Sequence, residues 1–430
     1  MFVSLDVIKF PKKIGKPFGD LPKNMYLCRR KLKVNMNTYK TYLEFIRYAL
    51  NPKGERPKDV AKMDWDGFFQ FADEQAILGM MYDGRKQMAD ESGMRDEEGF
   101  MDDLTLEWGF EAQQIKEQNE AINRKCVEVQ KELQEAGFQC CILKGQGNSL
   151  LYPKPYRRMP GDIDVWVKCD GRCKMEDGRG KIVTWARQHK EVSGCRFHHV
   201  EYKEDEIGVE LHFIPCSMNN PMYHKRLQKW FAEQADSEDI WNHRVKLPDT
   251  EGMICIPTVR FNVIYQLAHM MHHFFDEGIG LRQMMDYYYV LMSDEFVTPH
   301  SACREDGKKE DGRCKMEDGR CKMEDVSDTL RYLGLWKFAG AVMYVMREVF
   351  HIEEQYMIAP VNERRGKTLM EEILKGGNFG QYSGLTDHNM AVKYFLKIKR
   401  NMRFVSQYPA EALCEPFFRT WHFFWRLRYN

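Results

Sequence analysis

The run Gly161-Asp162-Ile163-Asp164-Val165-Trp166-Val167 sets two carboxylates one residue apart within an apolar, alternating segment. On a strand, successive side chains face opposite ways, so Asp162 and Asp164 share one face while Ile163, Val165 and Val167 take the other. Two acids that close repel each other unless a positive charge compensates. A divalent ion supplies that charge. Mg2+, or Mn2+ in its place, prefers hard oxygen ligands and commonly takes one or two carboxylates plus phosphate oxygens. Many surface loops contain an Asp-x-Asp, but here it lies in a strand-like apolar pattern. A second such segment, Gly208–Phe213, carries Glu210 between Val209 and Leu211. Three acids on neighbouring strands can hold two ions about 3.5–4 Å apart, the arrangement used for in-line displacement.

Other residues could serve the same chemistry. Cys140-Cys-Ile-Leu-Lys144-Gly145-Gln146-Gly147 reads as a strand ending in a glycine turn ahead of a short helix. Glycine lets backbone N–H groups approach a phosphate, and Lys144 adds a cation. Arg157 and Arg158 precede the Asp-x-Asp by four or five residues and could hold phosphate bidentately. His212 lies on the strand face of Glu210 and could steady it from behind. His269 and His273 have the i, i+4 spacing of zinc-binding helices. No glutamate separates them as in His-Glu-x-x-His, and the surrounding Met and Phe predict core packing instead. Arg282 and Asp286, also i, i+4, are predicted to pair along one helix.

The elements that must position these groups form three regions. Helical periodicity begins at residue 37 and covers 37–50, 58–82 and 103–136, the last ending at Gly137. Three strand-like runs follow, at 138–143, 163–167 and 209–214, with helical character at 181–190. Beyond Pro257 the pattern is helical again over 259–275, 281–292, 326–350 and 388–406. The expected division is 1–35, a basic arm; 36–136, helical; 137–256, an α/β core; and 257–430, helical. Residues 1–35 carry nine Lys/Arg against two Asp. Two interpretations stay open there, a flexible arm or upstream sequence ahead of a natural start at Met36. The heptad Asp-Gly-Arg-Cys-Lys-Met-Glu occurs at 170–176 and, in tandem, at 311–317 and 318–324. It lacks the apolar positions of a coiled coil. It is expected to form exposed low-complexity loops, the larger insertion spanning about 301–325.

The order Leu-Lys144-Gly-x-Gly, a Pro/Arg-rich loop, Gly-Asp162-Ile-Asp164-Val-Trp-Val and Val-Glu210-Leu-His212-Phe resembles the polymerase-β-type nucleotidyltransferase superfamily. More narrowly, the chain resembles a bacterial family of uncharacterised nucleotidyltransferases with a Leu-Lys-Gly…Asp-Ile-Asp…Leu-His pattern. The likeness is sharp over 141–214 and looser over 260–292. It implies an α+β fold, a small mixed-sheet nucleotidyltransferase core embedded in a largely helical chain. It also implies transfer of a nucleotidyl group from a nucleoside triphosphate, such as ATP, to an acceptor, with pyrophosphate released. By position, Lys144, Gly145, Gln146 and Gly147 would meet the phosphates, and Asp162, Asp164 and Glu210 would bind Mg2+ and carry the catalysis. The superfamily's usual Gly-Ser is Lys-Gly-Gln-Gly here, so a serine contact to phosphate is missing. The same residues are compatible with a nucleotide-binding or protein-interaction module that does not catalyse.

Composition narrows the class further. Sixty-four Lys/Arg balance 64 Asp/Glu, so global charge favours neither nucleic acid nor membrane. No stretch approaches the ~18 apolar residues of a membrane span, and the N-terminus has no signal-peptide pattern. Thirteen cysteines, an odd count without a Cys-x-x-Cys pair, signal neither a disulfide framework nor a zinc ribbon. A cytoplasmic protein is expected. The acceptor, whether small molecule, protein or RNA, is not legible.

Overall fold

The computed structural model describes residues 36–51, 57, 63–92, 103–169, 175–237, 239–296, 323–383 and 390–429. The basic arm at 1–35 and the tandem heptads up to residue 322 lie outside them.

Three helices open the chain: α1 (Met36–Leu50), α2 (Trp65–Glu74) and α3 (Leu78–Ser92). The single helix expected over 58–82 is broken at Gln75-Ala76-Ile77, where Ala76 takes a positive φ of 55°. No glycine or proline marks the break. Tertiary contacts impose it, because the Gln75 side chain donates to the Ile373 carbonyl at 2.9 Å and accepts from the Leu281 amide at 2.9 Å. Helix α4 (Asp103–Glu135) is long, and Gly137, with φ 82°, turns the chain out of it as predicted.

The sheet follows. Its strands are β1 (Phe138–Leu143), β2 (Ile163–Cys169), β3 (Val192–Cys195), β4 (His199–Glu204) and β5 (Ile207–His212), in the order β1-β2-β5-β4-β3. Among the described strands only the β2–β5 pair is parallel, so the sheet is mixed. The one-turn helix α5 (Gly145–Ser149) joins β1 to β2, and α6 (Met175–His189) lies between β2 and β3. Helix α6 begins within the first heptad, so Met175 and Glu176 are helical where an exposed loop was expected. Helices α7 (Pro221–Ala235) and α8 (Asp239–Asn242) and a small hairpin, β6 (Arg244–Lys246) with β7 (Met253–Cys255), complete this part.

Among the described residues seven α-helices follow: α9 (Val259–Asp276), α10 (Leu281–Leu291), α11 (Met323–Tyr332), α12 (Trp336–Phe350), α13 (Glu363–Gly376), α14 (Met390–Met402) and α15 (Pro409–Tyr429). The helix expected over 326–350 is two, parted at Gly334, whose φ is 77°. Among the described residues no helix is long and apolar enough to cross a membrane.

The alternation of β2 decides how the sheet is used. Ile163, Val165 and Val167, with Val209 and Leu211 of β5, pack against Ile122, Cys126 and Val129 of α4 and Ile182 of α6. The opposite face carries Trp166, which joins the large helical core and stacks on Phe261 of α9 with ring centres 5.6 Å apart. Asp164 is two residues from Trp166 and therefore shares its face. The helical region is thus docked directly beside the acids. Trp166→Ala is expected to cost about 3–5 kcal/mol, the usual loss for a buried tryptophan. Chemical denaturation of the two proteins measures it.

Candidate active site

The parallel register sets Asp164 opposite Glu210 and Trp166 opposite His212. Asp164, Glu210 and His212 therefore emerge on one face at neighbouring positions of adjacent strands. Ligand atoms of these three lie within 4.8 Å of one another. Asp162 sits one residue before β2. It borders the same cavity of about 250 Å³ as Asp164 and Glu210, and an adjoining one of about 40 Å³ with Asp164. The three acids singled out in the sequence do converge.

Protein cations stand among them. Lys144 places its Nζ 2.9 Å from Asp164 Oδ2. His212 Nε2 is 2.9 Å from Asp164 Oδ1 and 3.2 Å from Glu210 Oε2. His199 Nδ1 lies 3.1 Å from Glu210. Lys144 also donates to His269 Nε2 at 2.9 Å, and His273 Nε2 is 3.0 Å from that nitrogen. The backbone at Lys144 has φ 46°, the left-handed half of the map that a lysine rarely enters. That conformation, directly after β1, is what turns the ammonium back over Asp164.

The charges follow from this geometry. Loss of surrounding water, although the side chain keeps exposed surface, and the neighbouring charges of Asp164 and Glu210 raise the Asp162 carboxyl to about 6. Burial pushes Asp164 the same way, but the Lys144 ammonium and the His212 ring together outweigh it and hold Asp164 well below the usual carboxylate range. Burial opposes charge on His212, yet its hydrogen bonds to Asp164 and Glu210 prevail and raise it to about 9. His212 is therefore an imidazolium at neutral pH. Against burial, the same ring and His199 depress Glu210. Burial, and then the charge of Lys144, push His269 well below its ordinary value, so it is a neutral acceptor.

The remaining predicted residues are placed differently. Gly145 lines the smaller cavity. The Gln146 side chain turns away and donates to Asn119 and Asn123 of α4. A Cβ on Gly147 would stand 3.1 Å from Ile256, so this glycine serves close packing. Arg157 lies outside the cavity, bonded to Asp83 at 3.2 Å and the Ala112 carbonyl at 3.3 Å. Arg158 reaches the wall of the small cavity but is committed to Asp286, with two hydrogen bonds of 2.8 Å, while Tyr152 donates to the same carboxylate at 2.7 Å.

Two expectations are corrected here. Asp286 pairs with Arg158 rather than with Arg282, because Asp286 points toward the loop before β2. Arg282 instead donates to the Met159 and Pro160 carbonyls at 3.4 and 3.0 Å and borders the small cavity beside Asp162. His269 and His273 are not simply core residues, since both line the larger cavity. Sequence reasoning did not single out His198, His199, His272 or His422, which also line it. Among the described residues seven histidines, of the thirteen in the chain, border this one space. The adjacent pairs 198–199 and 272–273 were the available signal.

Two expected outcomes follow from the charges. A histidine whose folded value exceeds its unfolded one stabilises fully below the unfolded value, and that contribution is lost as pH rises through the folded value. Stability should therefore decline between pH 6.5 and about 9, the window set by His212. Urea denaturation across that range should show a flatter profile for His212→Gln. Removing one partner of the buried Arg158–Asp286 pair leaves an uncompensated charge and should cost about 3–5 kcal/mol. A double-mutant cycle on Arg158→Ala and Asp286→Ala should give strong coupling.

A family model described as an uncharacterised nucleotidyltransferase matches residues 61–298, more than half of the chain. The matched segment contains the whole sheet, the three acids, α9 and α10. No curated protein matches the chain.

Proposed function

The chain belongs to the family of uncharacterised nucleotidyltransferases, and from that premise we propose that it transfers a nucleotidyl group from a nucleoside triphosphate to an acceptor at Asp162, Asp164 and Glu210. The observation that carries this is the register of β2 on β5, which sets Asp164 beside Glu210 on the face that looks into the cavity. Buried like charges at that spacing require a cation. Here Lys144 and His212 provide it, and the same donor set suits a divalent ion. Asp162, Asp164 and Glu210 would hold Mg2+, or Mn2+, which when bound neutralises phosphate charge and polarises the reacting phosphoryl group.

The chain's own groups then have defined tasks. Lys144, released from Asp164, meets the triphosphate, with the Gly145 backbone alongside. Arg282, which borders the small cavity beside Asp162, adds positive charge there. Glu210 retains 22 % side-chain exposure and accepts the proton of the acceptor nucleophile. The nucleophile bonds to the α-phosphorus, the bond from that phosphorus to the pyrophosphate oxygen breaks, and the electron pair leaves with pyrophosphate. Catalysis on this account is mainly positioning and charge neutralisation.

A second reading, nucleotide binding without transfer, draws on one specific observation. The most buried of the three acids, Asp164, already has two protein partners. Incubation with α-labelled nucleoside triphosphates, divalent ions and cell lysate separates the two. The proposed function predicts a labelled acceptor, with Asp162→Asn and Asp164→Asn each lowering the yield by at least about 100-fold. Calorimetric nucleotide binding with no labelled product would favour the second reading. Absence of both binding and product would reject each.

A further inference from the structure

The wall of the cavity beside the acids is built from rings that a nucleotidyl-transfer site does not need. The chain turns at Arg196–His199, where the Arg196 amide donates to the His199 carbonyl at 2.8 Å. The amides of Phe213 and Ile214 both donate to the His198 carbonyl, at 3.1 and 3.2 Å, pinning the turn over the end of β5. Consecutive residues of a strand would face opposite sides. Because His198 precedes β4 in this turn, both its ring and that of His199 border the cavity. The His198 and His199 rings are 4.4 Å apart between centres, His199 and His212 are 4.9 Å apart, and His198 and His212 are 5.6 Å apart. Each offers a ring nitrogen within 4.8 Å of the others.

These nitrogens are poorly used by the protein. Among the described residues neither nitrogen of buried His199 meets hydrogen-bond geometry, although the Glu210 and Glu201 carboxylates stand 3.1 and 3.6 Å away, and His212 Nδ1 is buried without a partner. Buried polar atoms are ordinarily satisfied, and each exception calls for a cause. We propose that His198, His199 and His212 form a binding site for a borderline transition-metal ion of the Zn2+ or Co2+ class, with Glu210 within reach as a fourth ligand and the second ring proton of His212 released to solvent as the ion binds.

The ligand chemistry separates this ion from Mg2+. Imidazole nitrogen suits zinc, cobalt, nickel and iron, whereas Mg2+ prefers oxygen and strict octahedral geometry. Tetrahedral coordination at about 2.1 Å needs nitrogens about 3.4 Å apart. The site therefore requires the rings to rotate on the pinned backbone, closing the present spacing of up to 4.8 Å to that value. A metal-bound histidine commonly hands its other N–H to a carboxylate. His199 has a carboxylate near each nitrogen, so either one can take the ion while the other keeps an acceptor.

The test uses the full chain, stripped with a chelator and titrated with Co2+ in excess Mg2+. The expected result is one equivalent bound, with the visible absorption of a four-coordinate site. His198→Gln and His199→Gln should each weaken binding at least about tenfold. Asp162→Asn should bind Co2+ like the unaltered protein. No saturable Co2+ uptake, unchanged affinity in both histidine variants, or loss of the ion in Asp162→Asn instead would overturn the proposal. If the histidine variants fail to fold by circular dichroism, diethylpyrocarbonate modification of the unaltered protein replaces them. Co2+ should then protect His198 and His199, read by peptide mass, and modification at equal rates with and without Co2+ would count against the site.

Discussion

The repulsion between Asp164 and Glu210, held side by side across the parallel β2–β5 pair, is the constraint around which the surrounding structure is arranged. Two carboxylates on adjacent strands of a mostly buried sheet are tolerated only with positive charge between them. The fold provides it from two directions. Lys144 arrives from the end of β1 through a backbone conformation that a lysine rarely adopts, and His212 arrives two residues beyond Glu210 on the same strand. A residue held in such a backbone region persists where its surroundings over-determine it, and such positions gather at functional sites. The Asp164–Glu210 pair is therefore charge-balanced as it stands. A divalent ion would take the place of cations already in position.

The helical regions make sense as the frame for that arrangement. One face of the sheet is closed by α4 and α6. The other is closed by the helical core through Trp166, leaving the acids facing a cavity whose far wall is α9, α15 and the segment around Phe379. Arg158, Asp286 and Tyr152 tie the loop before β2 to α10, so the approach to Asp162 is fixed by a buried ion pair rather than left to loop packing. Asp276 near the end of α9 is bound by Arg419 at 2.9 Å and Lys397 at 3.2 Å. That contact draws the last helix against the histidine side of the cavity.

What could be read from the sequence was what depends on local periodicity. Alternation in Ile163–Val167 and Val209–Leu211 located both acid-bearing strands and placed their carboxylates on one face. The length and glycine stop of α4 were equally plain. What escaped depends on partners distant in the chain. Asp286 finds Arg158, 128 residues earlier, rather than its i−4 neighbour Arg282. Ala76 breaks a helix because Gln75 is claimed by residues 281 and 373. Strand β3 is four residues long and irregularly paired with β4, too short for its pattern to register. The histidine wall arises from a turn at 196–199 together with a helix 70 residues on, which no spacing rule connects. The glycine turn after β1, expected to meet phosphate, was only partly legible, since Gly145 faces the cavity while Gln146 and Gly147 serve packing against α4 and Ile256.

The most direct measurement is a crystal structure of the chain with Mn2+ and a non-hydrolysable nucleoside triphosphate, using the anomalous signal of manganese to locate the ion. The expected peak lies between Asp164 and Glu210, with Lys144 moved from Asp164 to the triphosphate. A nucleotide bound elsewhere, with Lys144 and His212 still on Asp164 and no peak beside the acids, would contradict it.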